Sequence, residues 1–312
     1  MTERNHDTEP QESDDTDSAY IGINGPTAAG LDLGGIFSNE FSNITPFYTS
    51  PNGPIEVHTA TRYGKRYILK GLKQQFRENP IYSMCLAKEF EIGMSLDHPN
   101  IRRTIGLEDT ESLGRVIVLE YVDGNTLENL IATRSLTTAA ARAIARQTAD
   151  ALAYIHSKQV YHRDLKPANV LVSHSGNVVK IIDFSLSDSG DFIILKNPSG
   201  SRRYMAPEQL SPDACPSAVA DIYSYGVLIG ELADATGDAQ LSQTAGKCTE
   251  ADPSRRPQSM EFVHLPSPEP SLAERFSAFL SSPVLTVILL CICAALAVLI
   301  AVLLTDNTHN YG

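Results

Sequence analysis

Basic residues are scarce in this sequence. Lys and Arg number 25 against 37 Asp and Glu, a formal net charge of −12 over 312 residues. Phosphate backbones demand cationic patches, so the balance argues against a nucleic-acid binder. Cysteine is sparse as well. Cys85, Cys215, Cys248, Cys291 and Cys293 include no C-x-x-C pair. That spacing argues against a disulfide framework or a structural zinc site and leaves buried, reduced thiols in a reducing compartment as the expectation. No internal repeat recurs at 20–50 residues. No basic segment leads into an apolar run at the N-terminus, so no secretory signal is read there.

What is present is unevenly distributed. Residues 1–20 carry Glu3, Asp7, Glu9, Glu12, Asp14, Asp15 and Asp17 against Arg4 alone, a local net of −6. So acidic a stretch cannot bury enough apolar surface to offset its ordering entropy, and 1–43 is read as a disordered acidic tail. From about Phe47 to Tyr82 the pattern is strand-like. Ile55, Val57, Thr59 and Thr61 alternate, a turn falls at 63–66, and Tyr67–Lys70 runs back as the second arm of a hairpin. A helix is expected over 83–96, ended by Asp97-His98-Pro99-Asn100, then a strand over Val116–Val122 and a turn at 123–125. An Ala-rich helix is expected over Thr137–His156, short strands at Asn169–Val172 and Val178–Ile182, and a helix over Ala218–Ala235.

Residues 264–283 hold four prolines and five serines and read as a spacer. Val284–Leu304 carries no charge, and Thr286 is its only clearly polar residue. Its 21 residues, at about 1.5 Å each, match a bilayer core of about 30 Å, so a transmembrane helix is expected, followed by a short tail at 305–312. Arg255, Arg256 and Arg275 lie on one side and no Lys or Arg on the other, which puts the N-terminal part in the cytoplasm.

Three strings carry the chemistry. His162-Arg163-Asp164-Leu165-Lys166-Pro167-Ala168-Asn169 lies between the Ala-rich helix and a short strand, Asp183-Phe184-Ser185 follows, and Ala206-Pro207-Glu208 stands further on. In this order they resemble the signature set of eukaryotic-type (Hanks-type) serine/threonine protein kinases. The resemblance covers about 44–263. It implies an α+β, bilobal fold with a β-rich small lobe at about 44–119 and a helical large lobe at about 123–263. It also implies ATP and Mg2+ as cofactors and a protein Ser/Thr as acceptor, while the apolar run at 284–304 adds the membrane as a partner and the acidic balance argues against nucleic acid.

Residue by residue, the resemblance implies Asp164 as the carboxylate that takes the hydroxyl proton and Lys166 as the cation facing the transferred phosphate. It makes Asn169 and Asp183 the metal ligands, oxygen donors of the kind Mg2+ prefers. Lys70 would clamp the α/β-phosphates, oriented by Glu89, with Glu91 as competitor two residues too close to His98. Leu119 would be gatekeeper, and the backbone of Glu120 and Val122 would bond adenine. Asp221 would brace the catalytic loop, Glu208 and Arg256 would form a buried ion pair, and Ser201 would contact the loop. Arg163 would respond to phosphorylation within 185–201, with Ser199 a candidate.

The pattern departs from the family in places. The three glycine positions of the phosphate loop fall on Tyr48, Ser50 and Gly53, with Ile55 following, and only Gly53 is glycine. Ser185 replaces a glycine, Ile68 a small residue over adenine, and Gly93 a bulky residue against Phe184. The segment between Asp221 and Arg256 is short, with little room for a substrate-docking helix. The expectation is a membrane-anchored, active kinase. A catalytically weak or inactive membrane-tethered scaffold is the alternative, and a small-molecule phosphotransferase is disfavoured by Lys166 and Ala206-Pro207-Glu208.

Overall fold

The computed structural model describes residues 40–51, 53–184, 201–211, 215–266, 292 and 296. The small lobe is a five-stranded antiparallel sheet in the order β1-β2-β3-β5-β4 with one helix on it. Its strands are β1 (Ser42–Thr49), β2 (Ile55–Arg62), β3 (Lys65–Leu72), β4 (Thr104–Thr110) and β5 (Gly114–Glu120). The expected hairpin is β2–β3, in register from Ile55↔Leu72 to Arg62↔Lys65. Its turn is only two residues, Tyr63 and Gly64, at φ 52 and 70, as a type I′ connection requires. The second strand therefore starts two residues earlier than the sequence suggests, at Lys65.

The period of two sorts β3 onto two faces. Leu69 packs with Ala60, Val116 and Val118 on the outer face. Ile68 and Leu72 pack with Leu86, Ile117 and Leu119 on the inner face, toward helix α1 (Pro80–Ser95). Lys70 shares that inner face. Helix α1 starts three residues earlier than expected, because the Asn79 side chain accepts the Ile81 N–H at 3.0 Å and Pro80 occupies the first helical position. Its buried positions Leu86, Glu89, Ile92 and Gly93 form one stripe, which aims Glu89 at β3.

The large lobe is helical. Its elements are β6 (Gly124–Thr126), α2 (Leu127–Ala132), α3 (Thr138–Ser157), β7 (Val170–Ser173), β8 (Val179–Ile181), α4 (Ala218–Thr236) and α5 (Ala239–Cys248). The expected turn at 123–125 is in part the strand β6, paired with β7 in the sheet β6-β7-β8. Helix α3 is capped by Thr137, which accepts the Ala140 N–H, and buries Ala141, Ile144, Ala145, Thr148, Leu152 and Ile155 against α4. Tyr225 on α4 donates to the Ala145 carbonyl at 2.9 Å. Asp238 caps α5 and forms an ion pair with Arg142 of α3 at 2.6 Å, so one carboxylate joins two helices. The segment between Asp221 and Arg256 holds the rest of α4 and the ten-residue α5 packed on it. The lobes are stitched at β8, where Ile101 bridges Ile181, Ile181 N–H donates to Asn100 O at 2.8 Å and Arg102 N–H to Ile181 O at 2.9 Å.

Two boundaries and one burial expectation need correction. Residues 42 and 43 belong to β1, and Phe41 packs edge-on against Tyr67, so the expected tail ends before residue 41. The spacer does not begin at 264. Leu265 packs on the core, Thr244 donates to His264 O and Arg146 to Pro266 O. Of the described cysteines only Cys248 is buried, while Cys215 is exposed and Cys85 half-buried. The expected span over 284–304 lies outside the described residues except for Ile292 and Leu296, which are helical and exposed. Among the described residues no helix is long and apolar enough to cross a membrane.

Candidate active site

The cleft between the lobes gathers the chemistry-bearing side chains. Lys70 Nζ lies 2.6 Å from Glu89 Oε1 and 2.9 Å from Asp183 Oδ1. Lys70 and Glu89 are buried, at 5% and 8% exposure. Burial alone would discharge the ammonium, but Asp183 and Glu89 outweigh it and hold the Lys70 pKa above its ordinary value. Glu91 is exposed and sits 3.9 Å from Lys88, so the choice between the two acids falls to Glu89. Asp183 adopts φ 69, a conformation that costs a non-glycine residue energy and marks a position held by its surroundings.

Beneath the cleft, the loop that follows α3 is pinned by one carboxylate. Asp221 Oδ2 accepts the His162 N–H at 2.8 Å and Oδ1 accepts the Arg163 N–H at 2.8 Å. His156 Nε2 stands 2.9 Å from the same Oδ2. Arg163 sits at φ 62, so the backbone is bent sharply where Asp221 grips it. His162 is wholly buried; its Nδ1 accepts the Asp164 N–H at 3.3 Å and its Nε2 donates to Ile182 O at 3.1 Å. One accepting and one donating nitrogen make a neutral ring, and burial lowers the His162 pKa in agreement. The imidazole therefore ties the Asp164 loop to the segment carrying Asp183.

Asp164 is set from both sides. Lys166 Nζ lies 3.0 Å from its Oδ2, and Asn169 Nδ2 reaches its carbonyl at 2.8 Å and its Oδ2 at 3.2 Å. Asn169 O in turn accepts the Ile182 N–H at 3.0 Å, which brings Asn169 beside Asp183. Among the described residues no group of three or more His, Cys, Asp and Glu could hold a metal ion. The donor set fits Mg2+ instead, which takes one or two protein oxygens and keeps waters and substrate phosphates as its other ligands. Asn169 and Asp183 are the oxygens that could hold it.

The other expected residues divide. Glu120 donates its N–H to Arg103 O at 2.9 Å, and its carboxylate accepts from Arg103 N–H and Lys180 Nζ, both at 3.1 Å. Its amide is thus engaged, while among the described residues the Val122 N–H has no partner. Leu119 is buried beside Ile68, its register partner on β3. Ile55 lies half-buried on the same inner face. Gly53 does not offer its amide to the cleft: it donates to Ser50 Oγ at 2.9 Å, closing the β1–β2 loop on itself. A side chain at Gly93 would meet Thr104, since a Cβ there would lie 2.2 Å from its Oγ1. Close approach of α1 to β4 replaces the bulky contact with Phe184, which is 6% exposed and 5.2 Å from the His162 ring. Arg256 forms the expected bidentate pair with Glu208 at 2.7 and 2.9 Å, but only the arginine side chain is fully buried, Glu208 keeping 31% exposure. Ser185 and Ser199 lie outside the described residues, and so does the Ser201 side chain.

Two contributors escape the sequence reading. His156 is the third group on Asp221, visible beforehand only as a polar residue on an apolar helix face. Arg102 lines a small recess with Glu89, Thr104, Leu119 and Asp183. No local pattern marks it, because its place depends on β4.

A lysine–carboxylate pair from the small lobe and an aspartate just past β8 thus meet an Asp-x-Lys-x-x-Asn loop anchored on a buried helix. The protein kinase domain family model matches residues 54–285, so the chain belongs to the protein kinase family. Its relatives include mitogen-activated protein kinase kinase 7 of Arabidopsis thaliana, 35% identical over 183 residues, 57% of this chain and 58% of that protein. CBL-interacting serine/threonine-protein kinase 21 of the same plant is 36% identical over 202 residues, 63% of this chain and 44% of the relative. Serine/threonine-protein kinase PknB of Mycobacterium tuberculosis is 30% identical over 205 residues, 61% of this chain and 32% of the relative. The chain therefore spans less than two thirds of these relatives.

Proposed function

We propose that the protein is an active serine/threonine protein kinase that transfers the γ-phosphoryl group of ATP to a protein hydroxyl. The observation that carries the reading is the joined constellation: Lys70 paired with Glu89 and Asp183, and Asp183 tied through Ile182 to His162 and Asn169 around Asp164. Lys70 holds the α/β-phosphates as a permanent cation, and Glu89 fixes where its ammonium points. Asp164 orients the acceptor hydroxyl and takes its proton as the oxygen attacks phosphorus. Lys166 offsets the charge on the transferred group, and Val122 bonds the adenine edge. Bound at Asn169 and Asp183, Mg2+ would neutralise the phosphate oxygens. Serine and threonine as acceptors are supported by Lys166 and by the serine/threonine kinases among the relatives.

The phosphate loop is atypical. With the Gly53 amide spent on Ser50, fewer N–H groups meet the phosphates, and ATP is held mainly by Lys70 and the metal. The membrane belongs to the same proposal: residues 284–304 anchor the chain, with the kinase domain on the cytoplasmic side. The test is phosphotransfer from labelled ATP with Mg2+ by the full chain in detergent. Transfer to self or to a generic acceptor, lost in Asp164→Ala, is expected; equal signals from the two proteins would reject the kinase reading. Retention in the membrane pellet after alkaline extraction, lost on truncation before Val284, is expected of the anchor.

A further inference from the structure

Beside the Asp164 loop lies a short turn with two adjacent arginines. Residues Ser201–Tyr204 form one 3-10 turn, and Arg202 and Arg203 are both exposed. The turn is fixed to helix α4, because Ser224 Oγ donates to Tyr204 O at 2.7 Å and Ser224 is buried. Ser224 stands three residues after Asp221, about 4.5 Å along the helix axis. Asp221 holds the backbone of His162 and Arg163. The turn and Asp164 are therefore mounted on consecutive turns of one buried helix.

The charges on this ledge are unequal in availability. Glu231 is 13% exposed and already accepts from Tyr204 Oη and Arg203 Nη1, both at 2.9 Å. It has little left for a cationic substrate residue. Arg203 stays 67% exposed while pairing with it. Among the described residues nothing pairs with the Arg202 guanidinium. Glu128, exposed at the start of α2, is the other acid whose charge reaches Tyr204, and it is the feature that could favour a basic substrate instead.

We propose that the Arg202–Arg203 ledge selects acceptor segments rich in acidic residues, and that the chain's own stretch Glu12-Ser13-Asp14-Asp15-Thr16-Asp17-Ser18 is such a substrate. The inference rests on the kinase reading above and adds the substrate class. Charge complementarity carries it: residues 1–20 hold seven acids against one base, and the ledge offers two exposed guanidinium groups, of which that of Arg202 has no partner among the described residues. The 23 residues from 19 to 41 give the segment a reach of at most about 80 Å. In the reaction the Ser13 or Thr16 hydroxyl oxygen bonds to the γ-phosphorus of ATP. The bond from that phosphorus to the β–γ bridging oxygen breaks, ADP leaves with the electron pair, and the hydroxyl proton passes to Asp164.

The experiment uses the full chain with ATP and Mg2+ and three peptides. One is the 8–20 segment; in the others its Asp and Glu are all replaced by Ala or all by Lys. Preference for the acidic peptide over the Ala peptide by about fivefold in kcat/KM is expected, the upper end of what one exposed ion pair supplies. Arg202→Glu reduces that ratio to one or below, and Arg202→Lys keeps most of it. Mass spectrometry of the incubated chain is expected to find phosphate on Ser13 or Thr16, absent in Asp164→Ala. Equal turnover of the acidic and Ala peptides, or preference for the Lys peptide, overturns the inference while leaving the kinase reading intact. No transfer to any peptide or to the chain itself overturns both.

Discussion

At the scale of single residues, the site is a set of charges that exist only in each other's company. Lys70→Met leaves Glu89 buried without its cation, and loss of one partner of a buried pair costs about 3–5 kcal/mol. The expected outcome is a clearly lower melting temperature together with loss of the stabilisation that Mg2+-ATP gives the wild type, measured by thermal shift with and without nucleotide. Lys70 is readable from sequence because its neighbours are. Ile68 and Leu72 put it on an apolar face, and the distance from Glu89 to His98 separates that acid from Glu91. Gly53 is only half legible for the converse reason, since counting back from Lys70 locates the residue without showing that Ser50 Oγ takes its amide. The cysteines give a second outcome. Burial pushes the Cys248 thiol up to about 12, and thiolates are the reactive species, so Cys248 should stay unlabelled by iodoacetamide in the folded protein while exposed Cys215 reacts. Peptide mapping of the labelled chain checks this, and prompt labelling of Cys248 would contradict its packing beneath α4.

At the scale of elements, legibility follows burial. The period of two in β2 and β3 and the Ala-rich stripe of α3 are visible because one face of each meets a core. Strand β4, with the sequence TIGLEDT, buries no residue fully, so its alternation is faint and it is not read. Strand β1 hides for another reason. It is an edge strand with mostly exposed side chains, and Pro46 falls where its register shifts, a place that tolerates proline but looks unlike a strand. Helix α5 is missed because it is only ten residues long and the stripe it packs on α4, Leu241, Thr244, Ala245 and Cys248, holds one large apolar side chain. That contact depends on Gly226, where an added Cβ would lie 2.6 Å from Cys248 Cβ and 3.1 Å from the Cys248 backbone. Gly226→Ala is expected to destabilise by about 1–3 kcal/mol through overpacking, lowering the melting temperature by several degrees and speeding cleavage near α5 in limited proteolysis. An unchanged melting temperature would mean that the two helices separate without penalty.

Over the whole molecule, buried ionisable groups set how stability follows pH. Burial lowers the pKa of His162, so unfolding releases a ring that binds a proton more readily. Because the unfolded chain then holds more protons, stability falls as pH drops below about 6.5. Glu208 and Asp238 act lower on the scale: hydrogen bonds from Arg256 and Arg142 hold both carboxyls below their ordinary values. Their contribution is complete above about pH 4.5 and is lost as pH falls through the folded-state values. The melting temperature should therefore decline from pH 7 to 5 and again below 4.5. Glu208→Gln should be less stable by about 3 kcal/mol at pH 7, leaving Arg256 buried without its carboxylate, and should show a weaker acid limb. The same buried architecture bears on how function maps onto the chain. Asp221 touches no reacting atom, yet it gathers His156, His162 and Arg163 onto the central helix, and the Arg202–Arg203 turn hangs from the next turn of that helix. In the proposed reaction, acid–base chemistry and acceptor choice thus share one keel, and a survey of inactivating substitutions would rank this submerged aspartate beside the groups proposed to handle phosphate.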